Sequence, residues 1–308
     1  MLVYVVIIRL HTIIDPIPYS VGEEDSFLVE VFFNSFSSPL TQAILAIILI
    51  YIQSLLINRI GIKHKLNKDF GLLPGVFYAL FLSLYPQESA LSPSLLANTF
   101  IIIALQYIIT TYNKREVSAN VFSSGMYASI ASIFYFPYLY FFVITTIGFL
   151  IMRSFSFKER VQHLIGWLIP YILIWVYQFW YGYEKPIIPH YFHEKYSLLN
   201  FELGFNLKEM IVIGIIGFLI ITFLVQYGRF SSKRDITTQK KIDIFYWVLF
   251  YGGMAILFYA HTDITHFAVI ALPFGYLLAM SIVNVNNLIL RELFHILFVV
   301  LVIYVHYY

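Results

Sequence analysis

Three polar segments of the sequence combine carboxylates with imidazoles, which are the residue types that proton transfer and phosphate binding require. A carboxylate beside a histidine can act as a general base or hold a divalent cation, and a protonated histidine can bind phosphate. The sequence leaves these uses open. The candidate catalytic acids are Glu23, Glu24 and Asp25, and the candidate substrate-binding residues are His190, His193, His261, Asp263 and His266.

Each of these segments also has an ordinary structural interpretation. The run 23–25 is typical of a solvated charge cluster in a loop. His190 and His193 are spaced to share a metal on a helix, but the neighbouring prolines disfavour a helix there. The turn 261–266 has the residue types of a ligand set, although short turns between helices are commonly polar. The sequence therefore predicts no metal and identifies no cofactor.

The composition places these segments in a membrane protein. Hydrophobic residues make up 60% of the 308 residues and charged residues only 12%, too few to cover a water-soluble globule. Eleven spans of about 20 residues would use most of the chain, so we predict a single transmembrane domain over residues 1–308. The net charge of +2 argues against nucleic acid as a partner. The absence of cysteine excludes disulfides and thiolate chemistry.

The distribution of lysine and arginine predicts the topology, because these residues are retained on the cytoplasmic side during insertion. Fifteen of the 19 basic residues fall in loops assigned to that side, and 11 of the 17 acidic residues fall in segments assigned to the other. The pattern predicts an all-α, polytopic integral membrane helix bundle of about 11 transmembrane helices, with the N-terminus inside and the C-terminus outside. The strongest clusters contain Arg59, Lys63, Lys65 and Lys68; Lys114 and Arg115; Arg153, Lys158 and Arg160; and Arg229, Lys233, Arg234, Lys240 and Lys241.

The apolar blocks give the predicted spans. The pair within 120–152 has only 33 residues, so it is either two short spans or a re-entrant segment. The other predicted spans are 2–14, 40–58, two within 70–112, 161–181, 207–227, 242–260, 267–283 and 293–308.

Few ionisable residues lie within these spans. Arg9 is either close to the outer interface or paired inside the bundle. No predicted span carries spaced carboxylates, which disfavours ion-coupled transport. The uncharged polar residues of the spans are predicted to form hydrogen bonds between helices. These residues are Asn98, Gln106, Asn120 and Gln178.

Residues 120–182 contain a series of motifs: Asn120 to Met126 (NVFSSGM), Phe136-Pro137, the basic residues Arg153 and Lys158, Gly166 to Tyr171 (GWLIPY), and Tyr177 to Tyr181 (YQFWY). The series resembles a family of polytopic bacterial envelope proteins whose domain has no assigned function. The resemblance implies a multi-pass protein of the bacterial inner membrane and supplies no catalytic residue.

A more distant resemblance concerns the acidic run 23–25. It is similar to the acidic first outer loop of multi-spanning glycosyltransferases that use polyprenyl-phosphate sugars. This resemblance implies catalysis on a lipid-linked glycan at the outer face of the membrane.

Two hypotheses for the function follow. The favoured one is a non-catalytic subunit of an envelope assembly, secretion or motility complex, whose partners are membrane lipid and other envelope membrane proteins. It predicts an exposed face of small residues for helix association. The alternative is the glycosyltransferase-like enzyme, which predicts that the three polar segments meet around one groove. The predicted helix-interface residues are Ser123, Ser124, Gly125 and Ala128.

Overall fold

The computed structural model describes residues 1–22, 25–66, 71–84, 91–183, 207–232, 234–257, 264–285 and 287–307. The structure is 83% helical, and the described residues contain no strand. Five helices are long and apolar enough to cross a membrane, within Pro39–Lys63, Phe157–Tyr181, Met210–Gly228, His266–Val283 and Leu288–His306.

The described residues include thirteen α-helices and two short 3₁₀ helices. The 3₁₀ helices are Phe136–Tyr140 and Ile264–Ile270. The α-helices are α1 (Leu2–Ile8), α2 (Leu10–Ile14), α3 (Phe27–Ser35), α4 (Pro39–Lys63), α5 (Leu73–Leu82), α6 (Pro93–Ile109), α7 (Ser118–Phe134), α8 (Phe141–Met152), α9 (Phe157–Tyr181), α10 (Leu207–Ser232), α11 (Ile236–Leu257), α12 (Ala271–Val283) and α13 (Leu288–Tyr307).

Each predicted span coincides with helical structure, but the first span and the segment that follows it differ from the prediction. The first span is interrupted at Arg9, where α1 ends and α2 begins. The segment 15–39, predicted only as an outer connection, contains α3. Ser26 caps this helix by accepting a hydrogen bond from the Val29 amide. A serine directly before an apolar run is a helix-start signal, and it accounts for the start of α3.

Local sequence signals explain where the long helix α9 begins and ends. Ser156 and Glu159 form a reciprocal capping box at its first turn. Glu159 also forms an ion pair with Arg153 at 3.0 Å. Gly182 ends the helix in the left-handed conformation, at φ +70°, which glycine adopts without steric cost.

The centre of the bundle is formed by α4, α5 and α12. A Cβ on Gly275 of α12 would lie 2.9 Å from the Pro74 carbonyl oxygen of α5, so the two helices are in backbone contact there. In the 18-residue apolar stretch His266–Val283, which combines α12 with most of the preceding 3₁₀ helix, 89% is buried inside the structure. By contrast, only 17% of the most apolar 18-residue stretch is buried in each of α9 and α13, so these helices expose broad apolar faces.

Side-chain contacts define the two ends of the bundle. At one end, Lys241 donates a hydrogen bond to the His64 carbonyl, and Arg153 donates one to the Lys114 carbonyl. We call this the lysine end. At the other end, His306 contacts Ser83 at the end of α5 and stacks on His11. We call this the histidine end.

Candidate functional site

Arg9 is the most buried arginine among the described residues, with 8% of its surface exposed. Its Nε donates to the Ser83 hydroxyl at 3.1 Å, and its Nη2 donates to the Leu82 carbonyl. Because α5 ends at Leu82, the guanidinium meets carbonyl groups that have no partner within the helix and the negative end of the helix dipole. Arg9 is therefore buried among the helices at the end of α5, and its depth in a membrane stays a prediction.

Two histidines adjoin Arg9 at the histidine end. The His306 Nε2 lies 2.7 Å from the Ser83 carbonyl oxygen. The ring of His306 stacks on that of His11, with 3.5 Å between centroids. The Arg9 guanidinium and both rings thus occupy one region where α1, α2, α5 and α13 meet.

A network of buried tyrosines and amides lies deeper in the bundle. The Tyr78 hydroxyl donates to the Gln53 side-chain oxygen at 2.7 Å, and the Gln53 amide donates to the Thr99 hydroxyl at 2.7 Å. The Tyr138 hydroxyl donates to the Asn98 side-chain oxygen, and the Asn98 amide donates to the Ala268 carbonyl at 3.1 Å. Tyr78 also interacts with Asn98 and is within electrostatic range of Arg9, so the network continues to the arginine.

Asn98 and Asn120 form the hydrogen bonds between elements that were predicted for the uncharged polar residues of the spans. Asn98 joins α6 to both 3₁₀ helices. Asn120 of α7 donates to the Thr110 hydroxyl at the end of α6, at 2.8 Å. Buried amides in an apolar bundle require partners, and these partners fix how the neighbouring helices are aligned.

Asp25 is held by its own loop. Its carboxylate accepts hydrogen bonds from the Tyr19 hydroxyl at 2.9 Å and from the Gly22 amide at 2.8 Å. The Tyr19 amide in turn donates to the Gln42 side chain on α4, at 2.8 Å. These contacts anchor the loop between α2 and α3 on the bundle.

His266 is almost buried, with 9% of its surface exposed, and its Nδ1 lies in hydrogen-bond contact with the Tyr135 hydroxyl. Tyr135 directly follows α7, so His266 lies at the C-terminal end of that helix. Six other candidate residues lie outside the described residues. They are Glu23, Glu24, His190, His193, His261 and Asp263.

The described parts of the three polar segments converge near the C-terminal end of α7. Phe32 of α3 packs edge-on against Phe134 of α7. Phe27, also on α3, packs against Tyr183, the last described residue before 184–206. The third segment reaches the same place through His266 and Tyr135. Aromatic rings therefore connect the three segments around one helix end.

The small-residue face of α7 is covered by another helix of the same chain. Ser124, Gly125 and Ala128 are buried, and Ser123 is half-buried. A Cβ on Gly125 would lie 2.5 Å from the His163 carbonyl oxygen of α9. The expectation of an exposed small-residue face is thus not met, because α9 occupies it.

The described residues contain no group of three or more His, Asp or Glu side chains placed to hold a metal ion. Comparisons with protein-family models, with curated proteins and with solved structures found no match. The fold and the site therefore define a helical protein with several candidate transmembrane helices and a buried cationic and aromatic cluster at one end.

Ser83, Tyr78 and Tyr138 also belong to this cluster, and their residue types give no signal of it in the sequence. Tyrosine, for example, is common at the ends of membrane helices. The usable signal was Arg9 itself, since an arginine in an apolar helix requires acceptors nearby.

Proposed function

We propose that the chain is an integral protein of the bacterial inner membrane with about eleven spans, with its histidine end outside. We propose further that it acts there on a lipid-linked glycan, as a glycosyltransferase-like enzyme. The observation that carries this proposal is the convergence of the three polar segments at the C-terminal end of α7. A transfer site formed by the three segments requires that they approach one another, and the described contacts at Phe32, Phe27 and His266 support such an approach.

The chemistry assigns a role to each group. A carboxylate of 23–25 takes the proton of the acceptor hydroxyl, and the oxygen of that hydroxyl forms a bond to the anomeric carbon of the donor sugar. The bond between that carbon and the donor phosphate breaks, and the phosphate leaves with the electron pair. The candidate histidines contact this phosphate, and Arg9 contributes positive charge at the same end of the bundle.

A second candidate, the non-catalytic subunit of an envelope complex, is favoured by the surface of α9. Trp175, Phe179 and Trp180 are 60%, 78% and 79% exposed. These rings suit either lipid at the membrane interface or helices of other envelope proteins. Purification in mild detergent distinguishes the two uses, because a subunit brings down stoichiometric partners and a monodisperse monomer argues against it.

Deletion of the gene in its native host tests whether the protein carries the proposed transferase activity. We expect the lipid-linked donor to accumulate and the glycosylated envelope product to fall, with both restored by the full-length chain. Mass spectrometry of the lipid extract and of the envelope glycans measures the two pools. Unchanged pools together with stoichiometric partners would support the subunit instead.

Reporter fusions test the orientation. Fusions after residue 64 and residue 235 are expected to be cytoplasmic, because each follows a cluster of basic residues. A fusion after residue 183 is expected on the outer side and serves as the matched control. Alkaline phosphatase activity, which requires export, should be high only in the control. Activity after residue 64 or 235 would contradict the topology.

A further inference from the structure

A cavity of about 280 Å³ opens at the lysine end, where α4, α6 and α7 meet. It lies at the opposite end of the bundle from the residues assigned to transfer. Ile103 forms its apolar wall. Its polar lining consists of Lys63, Gln106, Tyr107, Thr110, Lys114 and Asn120.

The wall that α6 contributes changes from apolar to polar along the helix. Ile103, Gln106, Tyr107 and Thr110 follow the spacing of one helix face, and together they extend about 10 Å along the axis. Ile103 lies towards the middle of the bundle, and Thr110 follows the last residue of the helix. An elongated ligand with an apolar part and a polar head fits this gradient.

Contacts within the lining hold its polar groups in place. The Asn120 amide donates to the Thr110 hydroxyl at 2.8 Å, and that hydroxyl donates to the Tyr107 carbonyl at 2.7 Å. The Tyr107 ring stacks on Tyr127 of α7, with 5.8 Å between centroids. The cavity is therefore shaped before any ligand arrives, which lowers the entropic cost of binding.

The lining of the cavity carries the positive charges of Lys63 and Lys114. Within the described part of the chain, neither lysine forms an ion pair. Two carboxylates of the lysine end have other partners: Glu159 pairs with Arg153, and Asp235 interacts with Lys241.

His64, which directly follows α4, lies within electrostatic range of Lys63 and Lys114. Burial and the charges of Lys241, Lys63 and Lys114 lower the pKa of His64 to about 4, so its ring is neutral at pH 7. Its Nε2 is buried and, among the described residues, has no hydrogen-bond partner. His64 therefore adds no positive charge beside the cavity at pH 7.

We infer that this cavity binds the phosphate group of an anionic phospholipid, with the lysine ammonium groups on the phosphate and Ile103 against the start of the acyl chain. Two lysines at the level of the headgroups favour anionic over zwitterionic lipid. The inference goes beyond the proposed transfer activity, and it stands whether or not the chain is an enzyme.

Native mass spectrometry of the full-length chain in detergent tests this site. We expect adducts with phosphatidylglycerol in preference to phosphatidylcholine. The double substitution Lys63→Gln/Lys114→Gln is expected to weaken phosphatidylglycerol binding by about thirtyfold, since each lysine near an anionic lipid contributes about a fivefold effect. The charge-matched control Lys65→Gln/Lys158→Gln alters two exposed lysines outside the cavity and should change the affinity less than twofold.

A third variant separates the cavity from the general charge of this surface. Ile103→Trp fills the apolar wall and keeps both lysines, so it should also weaken phosphatidylglycerol binding. Equal weakening by both double variants, or no weakening by Ile103→Trp in a chain that remains monodisperse, would overturn the inference. Inorganic phosphate added at millimolar concentration shows whether the site binds the phosphate group of a lipid or free phosphate. Retention of the lipid adduct supports a lipid site, and its displacement by phosphate would overturn the lipid assignment.

Discussion

Replacement of Glu23, Glu24 and Asp25 together by alanine is expected to lower glycan transfer by about 10²- to 10⁴-fold, the usual effect of losing a general base. The proposed phosphate contacts of the histidines are kept in this variant, so donor binding should change much less than turnover. The measurement is the envelope product and the accumulated lipid-linked donor in a deletion strain carrying the variant. Unchanged product at a normal protein level would end the enzyme hypothesis.

Two control variants make this experiment specific. Asp15→Ala removes an exposed acid of the same segment and should leave the product unchanged. Tyr19→Phe removes the hydroxyl that bonds Asp25 but keeps every carboxylate. A strong loss with Tyr19→Phe would show that the triple variant acts through the conformation of the loop, and proton transfer by these acids would then be unsupported.

Gly166→Ala is expected to destabilise the bundle by about 3 kcal/mol or more, because rigid backbone cannot move aside for an added methyl group. A Cβ at this position would lie 3.1 Å from the Phe122 carbonyl carbon and closer still to its oxygen. The expected readout is a lower midpoint of thermal unfolding in detergent, followed by circular dichroism.

Gly217→Ala on α10 is the matched control for this substitution. An added Cβ at Gly217 meets nothing within 4 Å. Alanine there should leave stability unchanged or raise it by about 0.5 to 1 kcal/mol, because alanine favours the helix over glycine. Similar midpoints for the two variants would show that α7 and α9 are not in close contact.

The long apolar helices of this protein could be predicted from the sequence because each such segment is visible by itself, whereas the short α3 and the break at Arg9 were not predicted. Hydrogen bonds by Asn98 and Asn120 followed from the same reasoning, since amides in apolar helices require partners. The orientation and the number of spans depend on charge placement and stay predictions.

The partners of buried groups could not be predicted in the same way. Arg9 and Ser83 are separated by 74 positions, and Ser83 and His306 by 223. Nothing in an isolated apolar segment indicates which other segment will lie beside it. The face of α7 shows the same limit: its small residues correctly indicated close packing, but not that α9 of the same chain would pack against them.

The contact between α1, α2 and α13 has a consequence for biosynthesis. Tyr4 bonds His295 across 291 positions, and His11 stacks on His306. Arg9, α1 and α2 are therefore translated long before α13, and they can reach their packed position only after α13 has been made.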